Sequence, residues 1–199
     1  MTTQGKLIVL YGINRLGKTT QAKKLVQWLQ NQKISAEYLK YPVYDLSPWG
    51  PECLAYLKQG NPKHLTPEQF QMRAAFNRAG HQEYLENLLA RGIWVVAEDY
   101  SGTGIAWGTA HGVDSAFLAA INEPLLKEDI AFFFDGDPFR EATEPSHLHE
   151  QNDVLTAKAR KIHQNLAQKY GWIPINANAS IEEIHQGIKQ TIQQHVRNE

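Results

Sequence analysis

The eight residues Gly12-Ile13-Asn14-Arg15-Leu16-Gly17-Lys18-Thr19 match the pattern G-x-x-x-x-G-K-[ST] in full, and no other stretch constrains the fold as strongly. The pattern needs a strand that delivers the chain to a tight turn, and glycines that let backbone N–H groups converge on phosphates. It also needs a helix that points its positive end at the same place. The flanks meet these needs: the apolar run Leu7–Tyr11 precedes the loop, and Gln21, Leu25, Trp28 and Leu29 recur at helical spacing after it. Lys18 is then expected to reach the β/γ-phosphates of ATP, and the Thr19 hydroxyl to bind Mg²⁺. Gly12, Asn14, Arg15, Gly17 and Thr20 complete the expected ATP-binding set.

Taken in order, the chain alternates strands and helices, the signature of a parallel sheet covered on both faces. Strands are expected at 6–11, 36–39, 93–97, 131–134 and 172–175. The expected fold is therefore α/β, a three-layer fold with a five-stranded parallel sheet between helices. Helices are expected at 19–30, weakly over Trp49–Lys58, from Thr66-Pro67-Glu68 to about residue 90, and at 114–126, 154–170 and 181–196. Thr66 reads as an N-cap with proline at the first helical position, and Arg91-Gly92 as a cationic last turn and a glycine stop. Residues 101–112 are rich in Gly, Ser and Thr and receive no regular element. The polar stretch 139–152 has no apolar period, so 138–153 reads as a lid on a single domain spanning 1–199.

Twenty basic against 21 acidic residues leave a net charge of −1, without the concentrated positive field that nucleic-acid binding depends on. No apolar stretch approaches the ~20 residues that span a bilayer, and residues 1–6 carry no charged-plus-apolar leader. Nucleic acid and membrane are thus not expected partners. Cys53 is the single cysteine; it reads as packing rather than catalysis and suits a reducing cytoplasm, the expected location.

In such a sheet ligands collect at the carboxyl ends of the strands. The phosphate loop, Tyr41-Pro42, Glu98-Asp99-Tyr100 and Asp135 all fall at such ends and should line one crevice. Glu98 is placed to hold Mg²⁺ through water or to orient an acceptor oxygen. Asp135 either caps the turn that follows it or serves the chemistry, with the cap slightly favoured.

These residues carry a resemblance that runs nearly end to end. The chain resembles the thymidylate kinases, P-loop enzymes that phosphorylate deoxythymidine monophosphate with MgATP. Gly17-Lys18-Thr19-Thr20-Gln21 matches the family's phosphate loop, Tyr41-Pro42 its turn after the second strand, and Asn77-Arg78 its nucleobase-contacting helix. Glu98-Asp99-Tyr100 falls where the family has Asp-Arg-Tyr; Thr103, Ala106 and Trp107 fall at its following Ser, Ala and Tyr, and Ile175-Asn176-Ala177 at its adenine-side loop. The resemblance implies ATP and Mg²⁺ as cofactors, nucleotides as substrates and a homodimer. It also implies a loop-arginine mode in which Arg15, rather than the lid with His147 and His149, meets charge on the transferred group. Arg15, Lys18 and Glu98 are then the catalytic set, and Thr19 and Glu98 the metal ligands.

Departures bear on the acceptor. Positions where the family grips the acceptor phosphate with arginines hold Tyr44 and Asp99, its stacking Phe is Ala74, and its adenine-side lid arginine is Glu144. A carboxylate at Asp99 would repel a phosphate dianion. Arg73 and Arg78 on the long helix are expected to compensate, with Tyr41, Tyr100 and Trp107 shaping the base pocket. Phe70 and Phe76 read as core. The expected reaction is transfer from MgATP to a pyrimidine deoxynucleoside monophosphate, dTMP to dTDP. An uncharged acceptor such as a nucleoside, or nucleotide binding with vestigial transfer, remain the alternatives.

Overall fold

The computed structural model describes residues 4–139 and 153–197. Its five strands are β1 (Leu7–Tyr11), β2 (Ala36–Lys40), β3 (Trp94–Glu98), β4 (Ile130–Asp135) and β5 (Ile173–Asn176). They form one all-parallel sheet in the order β2-β3-β1-β4-β5. The helices are α1 (Lys18–Asn31), α2 (Trp49–Lys58), α3 (Pro67–Ala90), α4 (Ser101–Ala110), α5 (Ser115–Asn122), α6 (Asp153–Tyr170) and α7 (Ile181–Arg197).

All five residues of β1 are buried, and their alternation divides the core into two layers. Ile8 and Leu10 pack with Leu25 and Leu29 of α1 and Ile188 and Ile192 of α7. Leu7, Val9 and Tyr11 pack on the other face with Leu85, Leu88 and Leu89 of α3, Ile105 of α4 and Leu118 of α5. A central strand buried on both faces reads as an unbroken apolar run, which is why Leu7–Tyr11 carries no polar residue. Because β1 lies between β3 and β4, with Leu10 opposite Glu98 and Tyr11 opposite Phe133, three strand ends converge beside Gly12.

Helix α3 starts as its sequence predicts. The Thr66 hydroxyl accepts from Gln69 N at 3.2 Å, and the Gln69 side chain accepts from Thr66 N at 3.0 Å, the reciprocal cap that satisfies two otherwise unpaired N–H groups. Its end is marked by Gly92, at φ 78°. Helix α5 is shorter than the expected 114–126. Asp114 caps it through Phe117 N at 2.7 Å, and Pro124, two residues past its end, has no N–H with which to continue the helical ladder.

The main correction is α4, which occupies the Gly/Ser/Thr-rich stretch given no element. Its glycines cost helix propensity but answer close packing. A Cβ at Gly102 would lie 2.4 Å from the Trp172 ring, at Gly104 2.8 Å from the Arg78 guanidinium, and at Gly108 2.7 Å from Leu118. Composition reports the propensity and is silent on these neighbours. Of the expected lid 138–153, residues 140–152, with His147 and His149, lie outside the described residues.

Candidate active site

The phosphate loop turns through three left-handed residues, Gly12 at φ 134°, Arg15 at 63° and Gly17 at 78°. A side chain at Gly12 would also place its Cβ 2.6 Å from the Phe134 carbonyl of β4, so glycine is required there twice over. Lys18, the first residue of α1, folds back into the loop. Its Nζ donates to the Ile13 carbonyl at 2.7 Å and the Gly12 carbonyl at 3.0 Å, and lies 3.5 Å from Asp99 Oδ1.

Glu98 ends β3 at 1% exposure, and its carboxylate is held from three sides. Thr19 Oγ1 donates to Oε2 at 3.0 Å, the Tyr38 hydroxyl donates to Oε1 at 2.5 Å, and Lys40 Nζ lies 3.6 Å from Oε2. Burial and the Glu98 charge push the Tyr38 phenol well above its usual range, so it stays a donor. Hydroxyl and carboxylate oxygens side by side beneath the loop are hard donors of the kind Mg²⁺ takes. Asp99 follows at φ 61°, where its carboxylate pairs with Lys18 and accepts from Thr103 Oγ1 at 3.4 Å.

One cavity of about 410 Å³ runs from the loop to the acceptor side. Asn14, Arg15, Gly17, Lys18, Thr19, Thr20, Glu98 and Asp99 line its loop end. Tyr41, Arg78 and Trp107 line the other, as expected, together with Lys40, Lys58 and Gln71, which the sequence reading did not single out. Gly12 lies beneath the loop, where its carbonyl holds Lys18.

Two expected substrate residues stand elsewhere. Arg73 is drawn away by Glu52, with which it forms an ion pair, and donates to the Gln69 carbonyl at 2.9 Å. The pair holds α3 to α2, and Lys63 reaches Glu52 from the other side at 2.7 Å; both cations lower the Glu52 pKa. Tyr100 is fully buried in the core, 5.1 Å from the Tyr41 ring, so it backs the pocket wall from behind. Phe70 packs as expected, stacked on Tyr56 at 4.0 Å, although its edge reaches the cavity. Asn77 braces the turn after β2 by bonding both the N–H and the carbonyl of Val43 at 2.8 Å. Asp135 takes a structural role, accepting from Arg160 at 2.6 Å and Gln164 at 3.0 Å.

Lys40 could have been found from its place at the end of the second strand. Gln71 shares a helix face with Ala74 and Arg78 at i, i+3 and i+7.

The family model for thymidylate kinase matches residues 10–188. A thymidylate kinase of Plasmodium falciparum is 30% identical over 193 residues, covering 95% of this chain and 90% of its own length. One from Arabidopsis thaliana is 29% identical over 98% of this chain and 73% of its own. Among solved structures, a thymidylate kinase from Candida albicans superposes with a TM-score of 0.85 over 98% of this chain and 94% of its own, at 20% identity, and so speaks to the fold.

Proposed function

Because the chain belongs to the thymidylate kinase family, a family of phosphotransferases, we propose that it moves the γ-phosphoryl group of ATP to dTMP, giving dTDP. The observation that carries this reading is the continuity of one cavity from the phosphate loop to an acceptor side lined by Lys40, Tyr41, Gln71, Arg78 and Trp107.

The chemistry needs positioning and charge rather than a covalent intermediate. A phosphate offers Lys18 a full negative charge where the loop carbonyls offer only dipoles, so Lys18 turns to the β/γ-phosphates and leaves its internal bonds. Arg15, in the same loop, faces charge developing on the transferred group. Thr19 and Glu98 are the residues that would hold Mg²⁺, directly or through water; the ion would supply positive charge to offset that of the phosphates. On the acceptor side Lys40 and Lys58 supply cations for the acceptor phosphate where Tyr44 and Asp99 stand in place of arginines. Closure of segment 138–153 over the single domain excludes water from the transfer.

No helix among the described residues is long and apolar enough to cross a membrane. We place the protein in the cytoplasm as a homodimer, acting on nucleotides rather than nucleic acid. A reducing compartment suits Cys53, whose thiol burial pushes up to about 12 and so keeps unreactive.

A second reading, transfer to a nucleoside, draws on the Asp99 carboxylate 3.5 Å from Lys18, a position unfavourable to a second dianion. A coupled assay of ATP consumption with dTMP and with thymidine separates the two. Turnover of dTMP with little use of thymidine is the expected result; the opposite preference transfers the assignment to the nucleoside, and ATP hydrolysis indifferent to both rejects kinase activity.

A further inference from the structure

Two buried polar side chains on α3 face the acceptor end of the cavity without satisfying each other. Gln71 and Arg78 are each 3% exposed and both line the cavity. Among the described residues, the Gln71 Oε1 and the Arg78 Nε have no hydrogen-bond partner. A buried amide oxygen left unpaired is costly unless a ligand completes it.

The geometry around them is rigid. Arg78 Nη1 donates to Asn122 Oδ1 at 3.1 Å, and Asn122 is itself oriented because its Nδ2 donates to the Leu118 carbonyl at 2.8 Å. That fixes the plane of the guanidinium. Both groups converge on the space over Gly104: a Cβ built there would meet the Arg78 terminal nitrogens at 2.8 and 3.0 Å and Gln71 Oε1 at 3.1 Å. The Gln71 stem is confined as well, since a Cβ at Gly108 would lie 3.0 Å from its Cγ. An amide oxygen, rather than its NH₂, is the end that sits favourably beside a guanidinium.

We propose that Gln71 is a specificity-determining residue that, beside Arg78, reads the acceptor base by its hydrogen-bonding edge. Arg78 offers donors and cannot lose its proton at ordinary pH; Gln71 offers an acceptor. The complementary edge is a carbonyl next to a ring N–H. Thymine and uracil present O4 and N3–H in that order, and guanine presents O6 and N1–H. Cytosine and adenine present an amino donor next to an unprotonated ring nitrogen, so each contact would set donor against donor or acceptor against acceptor. A site built from buried polar groups rejects such a base strongly because its own groups are then left unpaired.

The inference rests on the reading of the acceptor as a nucleotide of this kind, and binding can be measured apart from turnover. Titration calorimetry of the full-length wild-type protein with dTMP and N3-methyl-dTMP tests the Gln71 contact, because the methyl group replaces the N3–H donor, and the Gln71→Leu variant separates the lost hydrogen bond from the added bulk. Roughly 10- to 100-fold weaker binding of the methylated nucleotide is expected. In Gln71→Leu, dTMP affinity should fall by a similar factor while the N3-methyl nucleotide changes less than about threefold, so the variant and the methyl group are not additive. Equal losses for both nucleotides would reduce Gln71 to a packing role. Equal binding of the two by the wild type, which needs no variant, would overturn the proposal while leaving dTMP phosphorylation standing. Binding of neither nucleotide would overturn both.

Discussion

At the phosphate loop most ligand-facing groups come from one run, residues 14–20, joined by Glu98 and Asp99 at the end of β3, whereas the acceptor side draws Lys40 from β2, Lys58 from α2, Gln71 and Arg78 from α3 and Trp107 from α4. The loop is shaped by its own backbone: left-handed turns at Gly12, Arg15 and Gly17, and a lysine held by carbonyls five and six residues before it. The acceptor side is shaped by how closely helices approach. Its key distances are between α3 and α4, and glycines on α4 set them. A local motif can specify the first kind of site; the second exists only once the chain is folded.

The comparison breaks most visibly at Lys18. Lys18→Ala should lower turnover on the order of a hundred- to thousand-fold, because it removes a charge from the transferring phosphates, while circular dichroism and thermal midpoint stay close to wild type. Near-normal turnover would remove Lys18 from the chemistry. Arg15→Met should cost about tenfold or more in kcat, with a smaller change in ATP affinity, if the guanidinium acts in the transition state. Steady-state kinetics against simultaneous replacement of His147 and His149 would sharpen this, and a larger loss from the histidines would move the role to the lid.

A pH effect distinguishes the scaffold from both sites. His163 on α6 is fully buried, its Nδ1 donating to the Ala159 carbonyl at 2.9 Å, and burial lowers its pKa from 6.5 to about 4. The folded state therefore keeps the ring neutral where the unfolded chain takes up a proton. Stability from this group is complete above pH 6.5 and is lost as pH falls toward 4, on the order of 3 kcal/mol over the whole window. Urea unfolding at pH 7 and pH 5 should show a loss that His163→Leu lacks in part; an unchanged pH dependence in the variant would contradict it.

The smallest effect is expected at Arg73. Arg73→Ala should leave the KM for dTMP unchanged, since the side chain pairs with Glu52 outside the cavity, and should cost no more than about 1 kcal/mol of stability for a partly exposed pair. A clear rise in KM would restore the role that the sequence suggests.

That contrast between Arg73 and Arg78 shows where sequence stops. Helical spacing put both on neighbouring faces of α3, and nothing in the periodicity says that Glu52, on another helix, pulls one of them away. The five strands, the start of α3 and the loop were legible because strand burial, capping and glycine turns are local effects. Helix α4 was not, because Gly102, Gly104 and Gly108 are chosen for Trp172, Arg78 and Leu118, neighbours distant in the chain. Tyr100 was misplaced for a related reason: its motif position is beside the site, but its ring turns into the core behind Tyr41. Gln71 was within reach through its spacing from Arg78, yet only the unpaired oxygen gives it significance.

The division between a loop made by its backbone and an acceptor side made by helix approach is tested most directly at Gly104. In Gly104→Ala the added methyl would lie 2.8 Å from the Arg78 guanidinium and 3.1 Å from Gln71 Oε1, displacing both without touching the phosphate loop. Parallel measurement of KM for dTMP and for ATP should show the first raised about tenfold, as expected for one or two disturbed hydrogen bonds to a charged or buried group, and the second unchanged. A matching rise in both, or no change in either, would contradict the account.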